Sequence, residues 1–186
     1  MPLSKADMCP YTYVTRTQAQ NLAKSLSNSK SYTSSLMFGV QWDLVLAFMS
    51  KDTAHINDTN ILTSNSTTIG NYYNNLWTIT NQKAKYIINS NSKFTVYPIP
   101  FKKESDGSIL LTTGADKNFS AQNIYDIAGS AWEHTLEGVY SDNNFCVVRG
   151  GSCSNVGNSY PANSRFNLAG TYNDSTLSFR VSIFKI

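Results

Sequence analysis

Cysteine and histidine are scarce in this chain, and charge is thin. Three cysteines, Cys9, Cys146 and Cys153, stand at no zinc-like spacing, and two histidines, His55 and His134, exclude a histidine-rich metal centre. Cys146 and Cys153 pair if two strands bring them together; otherwise all three are free or partly buried thiols. Charged residues make up 15% of the chain, below the roughly 25% of an average domain. The formal net charge of +3 comes without a basic stripe, which argues against nucleic-acid binding. Lys102 and Lys103 read as a short solvated patch. No apolar run approaches the ~20 residues of a membrane span, and residues 1–7 lack the apolar region of a signal peptide. A cytosolic chain fits that start, and so does one trimmed from a longer exported protein.

Asn, Ser and Thr stand in for the missing charge, and they favour turns and local side-chain-to-backbone bonds. Hydrophobic content of 41%, with eleven Tyr, nine Phe and three Trp in 186 residues, supports one folded domain over 1–186. The expectation is therefore a single, loop-rich α+β domain.

Residues 1–14 read as extended, with Tyr11, Tyr13 and Val14 forming a β-prone run. Thr15-Arg-Thr-Gln18 fits a capping box, followed by Ala19, Leu22, Ala23 and Leu26 at helical spacing and a stop at Ser27-Asn28-Ser29. Ser29 to Ser35 reads as a polar loop. A second helix carries Val40, Leu44, Ala47 and Phe48 on one face and Trp42, Val45, Leu46 and Met49 on the other. Apolar on both sides, it is expected to be buried on most sides. From Thr53 to Ser120 Asn-rich turns, among them Asn89-Ser-Asn91, separate short aromatic pieces, with Ser108–Thr113 a candidate strand. Three β segments follow: Ala131–Leu136, Cys146–Arg149 and Leu177–Phe184, the last alternating with a period of two. Helices early and strands late indicate α+β rather than a βαβ wind.

Four blocks recur in an order that points to a family. They are Leu36-Met-Phe-Gly-Val-Gln-Trp-Asp43, Asn123-Ile-Tyr-Asp-Ile-Ala-Gly-Ser-Ala-Trp-Glu133, Arg149-Gly-Gly-Ser152 and Phe179-Arg180. With the helix at Thr15–Leu26 they resemble the formylglycine-generating enzyme (sulfatase-modifying factor) family, whose domain is a variant of the C-type-lectin fold. The resemblance implies two N-terminal helices and short antiparallel strands. The family's oxidase uses two cysteines beyond the arginine-glycine-glycine-serine motif, and here those positions hold Asn155 and Tyr160. Thiol redox chemistry or copper binding by two thiolates needs both sulfurs, so catalysis is not expected.

The same block resembles a second branch on this fold, the variable proteins of diversity-generating retroelements. These exchange residues between the arginine-glycine-glycine motif and the closing phenylalanine-arginine. The resemblance makes 149–180 the variable ligand-binding region. Its contact residues would be Cys153, Ser154, Asn155, Val156, Asn158, Ser159, Asn163, Ser164, Phe166, Asn167, Leu168 and Asn173. Arg149, Gly150, Gly151, Phe179 and Arg180 would be the structural frame, with the two arginines bonding backbone carbonyls. Tyr, Ser and Asn suit such a surface. Asp126, Glu133 and the carbonyls of Gly129 and Ala131 match positions that ligate Ca²⁺ in the family's enzymes. The alternative is that Asp126 caps a turn and Glu133 pairs with an arginine. Trp42 and Trp132 read as core, and His134 as structural. The expected function is non-catalytic binding of a protein or surface ligand, without nucleic acid, membrane insertion or a required cofactor. It would be displayed on a bacterial cell or phage, with a cytoplasmic location also open. The alternatives are an oxidase acting on sulfatase cysteines and a structural tip module without a ligand.

Overall fold

A computed structural model of the chain describes residues 5–27, 29, 31–88, 100–139 and 142–186. Asn28 of the expected helix stop and the Asn89–Asn91 turn lie outside them. The first helix, α1, spans Arg16–Ser25, with Thr15 at its N-cap. The Thr15 hydroxyl accepts from the Gln18 N–H, and the Gln18 side chain accepts from the Thr15 N–H, so the capping box is complete. Ala19 and Ala23 face the core. Residues 1–4 of the segment expected to be extended also lie outside the described residues; 5–14 form no strand, and Val14 is buried there while Tyr11 and Tyr13 stay exposed.

The expected polar loop at 29–35 contains a strand instead. β1 (Tyr32–Leu36) precedes α2 (Gly39–Met49), and a one-turn α3 (Asn60–Thr63) follows. The irregular middle carries β2 (Trp77–Ile79), β3 (Tyr86–Ile88), β4 (Phe101–Lys103), β5 (Ile109–Leu111), β6 (Ser120–Ala121) and β7 (Ile124–Tyr125). These pair two by two, β2 with β4, β3 with β5 and β6 with β7. Buried Trp77, Ile79, Tyr86, Leu111 and Phe119 pin the first two pairs together. The candidate strand at 108–113 is β5.

The last third holds β8 (Trp132–Val139), β9 (Asp142–Arg149), β10 (Arg165–Ala169), β11 (Leu177–Phe179) and β12 (Val181–Lys185). Four of them form one sheet in the order β10-β9-β8-β11. β9 lies antiparallel to β8 and β10, while β11 joins β8 in parallel. β12 leaves that sheet to pair antiparallel with β1, Leu36 opposite Val181. The single C-terminal strand expected at 177–184 is therefore two strands broken at Arg180.

α2 corrects a second expectation. Trp42, Leu46 and Met49 are buried, but Val40, Leu44 and Phe48 are more than half exposed. Only one face is covered, by Met37, Ile56, Ile69, Tyr72 and Ile127. An apolar helix can carry a surplus face that its own chain does not use.

Candidate functional site

β9 ends at Arg149, and the chain turns sharply at Gly150 and Gly151. Both glycines take positive φ, +89° and +75°. A Cβ would lie 2.7 Å from the Ile127 carbonyl oxygen at Gly150 and 2.7 Å from that of Tyr160 at Gly151. Only glycine fits either position. Around the turn the Gly129 N–H donates to the Gly150 carbonyl (2.8 Å) and the Cys153 N–H to the Ser130 carbonyl (2.9 Å). The hydroxyl of buried Tyr72 lies 3.0 Å from the Gly150 oxygen and 2.8 Å from that of Tyr160, and donates to one at a time.

Arg149 is fully buried. Its guanidinium donates to the carbonyls of Ser164 (2.9 Å), Asn163 (3.2 Å) and Gly39 (3.4 Å). It also meets Asp43 at 2.7 Å and Glu137 at 3.3 Å. The charge is thus compensated, and the returning chain at 163–164 is tied to α2. Burial alone would raise the Asp43 carboxyl pKa, but hydrogen bonding and charge from Arg149 and Arg165 outweigh it and lower it. Arg165 bridges the same two acids from β10. Sequence reasoning missed it, because nothing local separates this arginine from a solvated one.

The second bracket meets the first at one residue. Glu133 stands in register with Arg149 of β9 on one side and Ser178 of β11 on the other. The Arg180 guanidinium grips both Glu133 oxygens, at 2.7 and 2.9 Å, and donates to the carbonyls of Tyr125 (3.2 Å) and Asp126 (3.4 Å). The Asp126 carboxylate accepts from the Gly114 N–H at 2.7 Å. Of the two alternatives to calcium, Glu133 is paired with an arginine, while Asp126 bonds Gly114, 12 positions away, instead of capping a turn of its own. The positions expected to ligate Ca²⁺ do not fit that ion here, since the guanidinium already takes both Glu133 oxygens and supplies the positive charge.

The interval between the brackets divides by exposure. Ser154, Asn158, Ser159, Phe166, Asn167 and Asn173 are exposed; Asn155, Val156, Asn163, Ser164 and Leu168 are half-buried. The Asn155 side-chain oxygen accepts from the Ser152 N–H (3.0 Å) and hydroxyl (2.8 Å), so it closes a turn. Cys153 is corrected outright. It is buried with its thiol 3.6 Å from the Ser108 hydroxyl, and burial pushes its pKa up. Along β10 the strand period puts Arg165 and Asn167 on one face and Phe166 and Leu168 on the other. Phe166 packs against Trp132 and Tyr160, ring centroids 5.7 and 6.1 Å away. Tyr160 and the exposed Tyr172 were also missed, although tyrosine is the residue type such surfaces favour.

Cys146 and Cys153 are both free thiols, so no disulfide joins them. The Cys146 sulfur instead lies 3.7 Å from His134 Nδ1. His134 Nε2 donates to the Val14 carbonyl at 2.9 Å, which leaves Nδ1 as acceptor for the thiol. Burial lowers the His134 pKa and raises that of Cys146, so both stay neutral. Neither is accessible, and the pair is structural. Among the described residues no group of three His, Cys, Asp or Glu side chains is placed to hold a metal ion.

Comparison with known proteins is sparse. No protein-family model matches the chain, and a search of curated proteins finds no match. Among solved structures, Treponema denticola variable protein 1 superposes with a TM-score of 0.50 at 15% identity, over 91% of this chain and 69% of that one. The chain shares its fold with a variable protein. At that identity the likeness concerns architecture alone: a mixed α+β fold, rich in strands and with few helices.

Proposed function

We propose that this chain is a non-catalytic ligand-binding protein on a C-type-lectin-like fold, its 149–180 interval diversified by a retroelement. The observation that carries the reading is the division of labour between backbone and side chains. The interval is held by Arg149, Tyr72, Arg180 and two obligatory glycines, while Asn158, Ser159, Asn167 and Asn173 project outward. Ser154 and Phe166 are exposed too, but Ser154 is bonded to Ser108 and Phe166 packs on Trp132 and Tyr160. The side chains that project outward can be exchanged without disturbing the bonds that position them. The shared fold with a variable protein supports this reading.

The oxidase reading has less to stand on. The two positions that would carry its thiols hold Asn155 and Tyr160, and Cys153 is buried with a raised pKa. The partner is a protein or surface ligand, met on a cell or phage surface. No described helix is long and apolar enough to cross a membrane.

Substitution separates surface from frame. Exchanging Asn158, Ser159, Asn167 or Asn173 for other residue types is expected to change stability by no more than about 0.5 kcal/mol. Gly151→Ala is expected to cost more than about 2 kcal/mol, from strained φ and the clash with the Tyr160 carbonyl. Urea melts of each variant measure both. Unfolding by the four surface exchanges would overturn the reading. In the genome, a reverse transcriptase beside a near-copy of this coding segment, differing at adenines, is the expected companion; its absence would remove the retroelement part.

A further inference from the structure

A groove of about 880 Å³ opens beside β2 and β4, and none of the residues lining it belongs to 149–180. Its volume falls within the ~300–1,000 Å³ of small-ligand sites. Ile69, Trp77 and Phe119 line it and are themselves buried. Two donors among its lining residues are not fully satisfied. Trp77 Nε1 is buried without a hydrogen-bond partner among the described residues. Lys103, expected to be a solvated lysine, is buried too. Its Nζ donates to the carbonyls of Tyr72 and Tyr73, each at 2.7 Å, which uses two of three hydrogens. Among the described residues no carboxylate stands within ion-pairing distance of it. The ammonium lies 6.0 Å from the centre of the Trp77 ring, so both donors belong to one patch.

Asp106 attracts the Lys103 charge from beyond contact distance, and a buried cation without a contacting anion and a buried N–H without an acceptor are both costly. A native structure that holds such groups commonly satisfies them with something outside the chain. The other charged lining residues do not do so: neither Glu104 nor Asp116 stands within ion-pairing distance of Lys103, the Asp116 carboxylate accepts from the Asn118 N–H, and His55 is bonded to Asp52. The remaining demand is for one negative group with two oxygens. A carboxylate meets it. A phosphate would bring further charge towards Glu104 and Asp116.

We propose that this groove is a second ligand site, fixed rather than exchanged, which takes a carboxylate-bearing ligand on Trp77 Nε1 and Lys103 Nζ. It stands independently of the surface on 149–180. Because its lining lies outside that interval, every variant of the display surface would keep it.

The indole N–H signal of Trp77, assigned among the three tryptophans with Trp77→Phe, is the readout. The probes are a short polyglutamate peptide and an oligouronate, each beside its uncharged counterpart, added to the full chain. The expected result is a downfield shift of the Trp77 signal with an acid and none with its neutral counterpart; whichever acid acts identifies the ligand's backbone. Trp77→Phe has no such signal and is titrated calorimetrically beside the unaltered chain; it should weaken that binding about tenfold, while Asn158→Ala and Asn167→Ala leave it unchanged. Lys103→Met should abolish it; where that variant does not fold, Trp77→Phe alone decides. Silence with both acids, equal shifts with the neutral probes, or undiminished binding by Trp77→Phe would overturn the proposal.

Discussion

Asp126 is held at a left-handed φ of 58°, with its carboxylate turned onto the Gly114 N–H. Burial pushes its pKa up to about 6, against the pull of Gly114 and Arg180. In the unfolded chain it returns to the ordinary value of 3.8. Between these two values the folded form binds more protons, so this carboxyl makes stability fall as pH rises from about 4 to about 6. Asp43 acts with the opposite sign, its lowered pKa giving stability that is lost as pH falls. Asp126→Asn should therefore flatten the decline over that window, read as melting temperature against pH. An unchanged slope would show that the carboxyl is not perturbed. At this scale the sequence was readable where residues flank a motif: Arg149 and Arg180 bond backbone carbonyls as expected. It was silent on Cys153, whose burial comes with a contact to Ser108, forty-five positions away.

At the scale of elements, α2 shows what periodicity can and cannot tell. A helix apolar on two faces offers both for burial, and which one the rest of the chain covers is a tertiary fact. Phe48→Glu on the open face is expected to shift stability by no more than about 0.5 kcal/mol. Trp42→Ala on the covered face should cost about 3–5 kcal/mol, because it empties a core site and removes the indole N–H bond to the Ala162 carbonyl. Urea midpoints distinguish them, and equal costs would mean that the exposed face is packed in solution. α1 was legible because Thr15 and Gln18 are only three positions apart. β1 was not, since Tyr32-Thr-Ser-Ser-Leu36 reads as polar loop until β12, far along the chain, arrives to pair with it.

At the scale of the molecule, the mixed α+β character and the bracketing arginines and glycines were visible in the sequence, whereas the groove beside β2 and β4 was not. Its two donors come from strands that read as short aromatic fragments and a solvated lysine. The frame itself has one more consequence, which follows from β8 pairing with β9 on one edge and β11 on the other. Residues 150–176 leave from one side of that strand and return to the opposite side. β8 and β9 are neighbours in sequence and need little loop closure, while the parallel partner must wait for the whole interval. The hairpin would then form early in folding and the interval late. Gly151→Ala, whose cost is large enough to divide between the arms, should accordingly move the unfolding arm of a chevron plot and leave the folding arm in place. A slowed folding arm would put the interval in the nucleus. If the arm holds, new surfaces can be tried on this chain without retraining how it folds.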